Sequence, residues 1–181
     1  MPAKKTADLN EIFYRADACW DAGDLAQARK LFAVAARKGH VPSQMNYGVF
    51  CDVGFGGKKN APAAMRWYRT AAKAGDDTAY YALAHVYLKR GNRGRALVWF
   101  RRLVDADEGS GSLELAKFYL SGGTAAGLKK AQALLNHAAA ADPKTMTEYE
   151  IEEVERLLFE LKSGKRFPLY LGVKPWSENT E

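Results

Sequence analysis

The stretch Ala64–Gly75, AMRWYRTAAKAG, sets two adjacent aromatics, Trp67 and Tyr68, between alanines at Ala64, Ala71 and Ala72, and ends on glycine. Counted from Ala64, these side chains fall at i+3, i+4, i+7 and i+8, which puts all five on one face of an α-helix. A face that mixes two large rings with methyl-sized neighbours suits a helix packed on more than one side: the rings fill space and the alanines let another backbone approach. Gly75 suits the helix end, where the left-handed conformation carries no Cβ penalty.

The same five-residue pattern recurs three times, as Ala28, Leu31, Phe32, Ala35, Ala36, as Ala96, Trp99, Phe100, Leu103, Val104, and as Ala131, Leu134, Leu135, Ala138, Ala139. Ahead of each copy stands a second pattern, a small residue at Ala16, Gly48, Ala84 and Ala116 followed three positions later by Cys19, Cys51, Tyr87 and Tyr119. Fixed spacing of this kind marks a repeat architecture in which each unit is a pair of helices. The turn-rich segments AGD (22–24), GFGGKKN (54–60), RGN (90–92) and SGGTAAG (121–127) separate the two helices of each unit.

The second unit, PSQMNYGVFCDVGFGGKKNAPAAMRWYRTAAKAG, resembles a Sel1-like repeat, a tetratricopeptide-type helical hairpin, through Gly48, Gly54, Gly56, Ala64, Trp67, Tyr68, Ala71, Ala72 and Gly75. The third unit keeps Leu83, Ala84, Tyr87, Ala96, Trp99 and Phe100 with a shorter loop, and the outer two follow the periodicity with Leu31, Phe32 and Leu134, Leu135 in the ring positions. The resemblance implies an all-α, right-handed α-solenoid of about four hairpins. The expected division is a flexible N-terminus over 1–7, a repeat array over 8–142 (about 8–40, 41–75, 76–109 and 110–142), and a C-terminal capping helix and apolar tail over 143–181. In that last part Met146, Tyr149, Ile151, Val154, Leu157, Leu158 and Leu161 form an expected apolar stripe against an acidic face, as a terminal repeat requires. The segment after it, with Phe167, Leu169, Tyr170, Leu171, Val173 and Trp176, is too apolar to leave in water.

Composition narrows the function classes. The chain has 181 residues, 48% hydrophobic and 27% charged, as in ordinary globular proteins. It has no apolar run of the ~20 residues a bilayer span needs and no apolar signal core in its first residues, so a cytoplasmic location is expected. Cys19 and Cys51 match neither a disulfide framework nor a zinc site; as equivalent positions of adjacent repeats they are expected to be buried, reduced thiols. The net charge of +6 is uneven: residues 25–102 hold fifteen basic and three acidic residues, with an acidic excess on both sides.

No catalytic, cofactor or metal motif emerges. GFGG lacks the lysine and hydroxyl residue of a phosphate loop and reads as a hairpin turn. His40, His85 and His137 fall in three different units without metal-ligand spacing, His40 being expected to cap a helix, and no serine stands beside a base in the pattern. Two binding surfaces are expected instead. One is the exposed side of the first helices, with Asn46, Val49, Phe50 and Val53, then His85, Val86 and Lys89, then Lys117 and Phe118; the alternative is that Phe50, Val86 and Phe118 pack between repeats. The other is a basic ridge of Arg66, Arg69 and Lys73 with Arg101 and Arg102, extended by Lys58, Lys59, Arg93 and Arg95.

Sel1-like repeat proteins are typically adaptors in bacterial signalling, secretion, envelope or toxin-antitoxin systems. The resemblance thus implies a non-enzymatic scaffold that binds an acidic or amphipathic protein segment. Two alternatives stand beside it. The basic central repeats suit nucleic acid. Cysteine-rich relatives associated with weak β-lactam hydrolysis suggest a hydrolase, although this chain lacks their paired cysteines.

Overall fold

The computed structural model describes residues 8–164, and the expectations for 1–7 and for the apolar segment 165–181 lie outside the described residues. Every regular element among them is helical. Four hairpins follow one another: α1 (Leu9–Asp21) with α2 (Leu25–Arg37), α3 (Val41–Val53) with α4 (Ala61–Lys73), α5 (Asp77–Lys89) with α6 (Arg93–Ala106), and α7 (Glu108–Leu120) with α8 (Ala125–Ala140). A short 3-10 turn, Pro143–Thr145, leads to α9 (Glu148–Lys162).

Local chemistry fixes the helix starts. Asp8, Asp24, Asn60, Asn92, Asp107 and Thr124 each accept a hydrogen bond from a backbone N–H of the first turn, which satisfies a donor the helix itself leaves unpaired. Asp76 does the same for Ala79 at 2.7 Å, and partial burial raises its carboxyl above the usual range despite that bond. Thr147 and Glu150 form a reciprocal capping box at the start of α9. Gly75 has φ of 90° and closes α4 as its sequence position requires.

The chain divides into two compact units between Leu83 and Ala84, inside α5. In the first unit, Ala16, Ala28, Phe32 and Phe50 form a fully buried cluster with Phe13, Trp20, Leu31, Tyr47 and Phe55 around it. Its rings meet edge to face, Trp20–Phe50 at 5.1 Å and Phe32–Phe50 at 5.2 Å between centroids; burying each such ring contributes about 1.5–3 kcal/mol. Gly48 of α3 provides the passage for α4. A Cβ built there would stand 2.6 Å from Cε1 of Tyr68, so the small residue of the first helix admits the ring of the second. Burial raises the Tyr68 phenol well above its usual range, with the nearby Asp52 and Cys51 adding to the shift.

In the second unit, Leu113, Ala116 and Leu120 of α7 pack with Ala131, Leu135 and Ala138 of α8 and with Val154 and Leu157 of α9. Gly111 lets α7 lie against the end of α6, because a Cβ there would stand 2.6 Å from the backbone of Val104. α9 thus adds its apolar side, through Val154 and Leu157, to this core.

Three expectations need correction. Tyr149 is 71% exposed and lies outside the apolar stripe of α9, which is carried by Val154, Leu157, Leu158 and Leu161. Ala139 is exposed, because α8 turns only its first four pattern residues inward. Cys19 is half-buried, since it stands at the rim of the aromatic cluster, whereas Cys51 is buried; both are free thiols.

Candidate interaction surface

Charge is sorted by helix type. The second helices α2, α4, α6 and α8 hold Arg29, Lys30, Arg37, Arg66, Arg69, Lys73, Arg93, Arg95, Arg101, Arg102, Lys129 and Lys130, and Asp105 is their only acidic residue. The first helices each carry acidic residues, with Glu11, Asp17 and Asp21 on α1, Asp52 on α3, Asp77 on α5, and Glu108 and Glu114 on α7. On α4 the residues Arg66, Arg69 and Lys73 are exposed and occupy i, i+3 and i+7, one stripe on the side away from the buried alanines. On α2 the exposed stripe is Lys30, Val34 and Arg37, with Val34 40% exposed. Arg101 and Arg102 are also exposed, and the Arg102 guanidinium lies 4.9 Å from the Trp99 ring centre.

Not every base joins that surface. Arg29, which the sequence reading passed over, reaches from α2 to the end of α3 and donates to the carbonyl oxygens of Phe50 (3.2 Å), Phe55 (2.8 Å) and Lys58 (3.0 Å). It closes the carbonyl end of α3, where a cation complements the helix dipole, and it holds the Gly-rich loop. Gly57 makes room for it, since a Cβ there would stand 3.2 Å from the guanidinium. Gly54, with φ of 94°, ends α3 in the left-handed conformation, which confirms the loop as a turn. Arg93 plays the same part in the second unit: it donates to the Phe118 carbonyl at 2.9 Å and to Ser121 at 3.2 Å while lying 4.3 Å from the Phe118 ring centre. Arg93 therefore belongs to this clamp and leaves the expected ridge.

The expected first-helix lining is only partly a surface. Phe50 is fully buried in the first unit's core and Phe118 is 6% exposed, so for these two the packing alternative applies. Asn46, Val49, Val53 and Val86 are half-buried and Lys89 is exposed. His85 and Lys117 converge on a residue that spacing did not single out: Glu114 lies 3.4 Å from His85 Nε2 and 3.0 Å from Lys117 Nζ. Burial alone would raise the Glu114 carboxyl, but the hydrogen bond from His85 and the charge of Lys117 outweigh it and hold the group below the usual range. His85 also packs edge-on against Phe100 at 5.5 Å.

The other histidines serve the helices. His40 caps α3, its Nδ1 accepting from the Ser43 backbone, and its Nε2 lies 3.1 Å from Asn10; desolvation lowers its pKa, against a smaller opposing pull from Asp8. His137 Nδ1 lies 3.0 Å from Ser112 Oγ, with Glu108 3.7 Å from its other nitrogen. A serine does stand beside a base, contrary to the sequence reading, but Ser112 is fully buried between α7 and α8, where its hydroxyl offers no face to a substrate. No cluster of three or more metal-ligating side chains occurs among the described residues, and none of their helices is long and apolar enough to cross a membrane.

No protein-family model and no curated protein matches the chain. Among solved structures it is similar to a protective antigen of uropathogenic Escherichia coli strains that displays an SLR fold, with 27% identity and a TM-score of 0.71 over 90% of this chain and 35% of that one. This chain spans about a third of that protein's length. It is also similar in fold to a Sel1 repeat protein from Oxalobacter formigenes, with 16% identity and a TM-score of 0.58 over 90% of this chain and 91% of that one. Helical hairpins built on the small–ring–small pattern, together with these likenesses, support a Sel1-like, all-α helical-repeat fold for the chain.

Proposed function

We propose that the chain is a non-enzymatic scaffold whose second-helix face, centred on Arg66, Arg69 and Lys73 of α4 with Lys30 and Arg37 of α2, holds an acidic helical segment of a partner protein. The observation that carries this reading is the charge sorting: α2 and α4 contain no acidic residue, and their basic residues outside the Arg29 clamp point outward in helical rows. A row of cations at helical spacing complements a row of carboxylates at the same spacing and steers it from a distance. Sel1-like repeats commonly serve as adaptors, which agrees with contact in place of chemistry. Binding to nucleic acid is less well supported, since single strands are held largely by stacking on exposed rings, whereas Tyr68 is buried and Trp67 is half-buried against Tyr47, 5.5 Å between ring centres.

The test is fluorescence anisotropy of a labelled, Glu-rich amphipathic helical peptide at low salt, with a single-stranded oligonucleotide as competitor. The expected result is saturable peptide binding that weakens at least about tenfold in Arg66→Glu/Arg69→Glu and survives the oligonucleotide. Binding unaffected by that variant, or lost to the oligonucleotide, overturns the reading.

A further inference from the structure

Among the described residues, α9 presents an exposed outer face. Glu148, Glu152, Glu155 and Phe159 lie at i, i+4, i+7 and i+11 along the outer side of α9, all exposed, with Phe159 at 69% and Tyr149 on the flank at 71%. An outer helix face whose row of carboxylates is bordered by two exposed rings is an unusual surface for water to cover alone. The same chain carries its complement. Arg66, Arg69 and Lys73 of α4 span seven residues, as Glu148, Glu152 and Glu155 do, so each row is about 10.5 Å long at 1.5 Å per residue. The preceding second helix adds Val34 between Lys30 and Arg37, an apolar contact within a basic stripe. A phenyl or phenol ring accepts a guanidinium on its face as readily as an aliphatic group on its edge.

We infer that α9 of one copy docks on the basic face of α4 and α2 of another, with Glu152 and Glu155 paired to Arg66 and Arg69 and with Phe159 against Val34. The inference rests on the reading of that basic face as a contact surface and names a second copy of this chain as an occupant. The two faces differ, so the contact is heterologous and runs head to tail, giving rings or open chains instead of a two-fold dimer. Its strength depends on charges that remain close to water, so salt controls it.

The experiment is sedimentation velocity of the full chain over a concentration series at about 20 mM and about 500 mM salt, conditions between which the screening length falls several-fold. The expected result is concentration-dependent association at low salt that disappears at high salt. Glu152→Lys/Glu155→Lys and Arg66→Glu/Arg69→Glu should each be monomeric at low salt, and mixing the two should restore assembly, because each variant then offers the charge the other lacks. A full chain that stays monomeric at low salt overturns the inference, as does a mixture that fails to assemble. A monomer whose melting temperature drops on Phe159→Glu overturns it too, by showing that the chain covers this face with its own residues 165–181. A monomer that still binds the acidic peptide leaves the basic-face reading standing and removes only self-association.

Discussion

Gly48 carries a decision that usually falls the other way. Replacing a helical glycine by alanine ordinarily stabilises a helix by up to about 1 kcal/mol through lost chain entropy. At Gly48 the new methyl would meet the Tyr68 ring at 2.6 Å, and Tyr68 is 3% exposed, with little room to yield. Overpacking of this kind costs about 1–3 kcal/mol, so Gly48→Ala should destabilise. Gly94, in the first turn of α6 with only a side-chain atom at 3.9 Å, should show the opposite sign. Urea denaturation of the two variants tests the pair; equal signs would show that Tyr68 has another place to go. Glu114 makes a second residue-scale prediction. Its folded pKa is lowered, so its ionised form contributes stability that is complete above the ordinary carboxylate range and is lost as pH falls through the folded value. Glu114→Gln should therefore cost about 1–3 kcal/mol near neutrality, the range for a largely buried charged hydrogen bond, and should match the wild type at strongly acidic pH. Melting temperatures across a pH series measure the convergence.

The hairpin is the element that the sequence makes legible, and its loop is the part that it hides. Alanine and ring positions repeat with helical spacing because every second helix buries the same face, so Ala28, Ala64, Ala96 and Ala131 could be aligned before any fold was known. The half-buried position three residues later, Leu31, Trp67, Trp99 or Leu134, obeys the same periodicity, and spacing cannot tell it from the buried one beside it. Arg29 and Arg93 were hidden for a different reason. Each closes the carbonyl end of a first helix in the following repeat, but Arg29 comes one residue after its pattern alanine and Arg93 three before, so no common offset marks them. Charge composition counts both as surface. The clamp predicts that Arg29→Lys will not substitute for arginine, since one ammonium cannot reach three carbonyls in a fork. Arg29→Ala should cost about 2–3 kcal/mol, more than Arg93→Ala, because Arg29 is half-buried and Arg93 is exposed. Hydrogen exchange at Gly57 and Asn60, whose amides bond to the Gly54 and Cys51 carbonyls, should accelerate in both Arg29 variants. Unchanged exchange there would assign the loop's order to Gly54 and Gly56 instead.

Across the whole molecule, two kinds of information are written on different residues. The apolar pattern specifies the hairpins, and the charge pattern specifies what they present outward; the first was legible from one sequence because periodicity is geometric. The second was legible as a basic middle region, but its assignment to the outward sides of second helices required knowing which turns of each helix are buried. First-helix positions were the hardest, since these helices meet neighbours on both flanks and an apolar residue such as Phe50 or Phe118 is as compatible with a groove as with a core. If the two patterns are separable, neutralising the outer charges must leave the fold intact. Replacing Lys30, Arg37, Arg66, Arg69 and Lys73 together by glutamine changes only exposed positions, each expected to contribute within about 0.5 kcal/mol, and it relieves repulsion in a chain of net charge +6. Helicity by circular dichroism should be unchanged and the melting temperature unchanged or slightly higher at low salt. Phe32→Ala, a single change at a fully buried ring, should instead cost about 3–5 kcal/mol. A marked loss of helicity in the five-fold variant would mean that the basic rows hold the repeats together, and the second-helix face could then no longer be read as a surface kept for a partner.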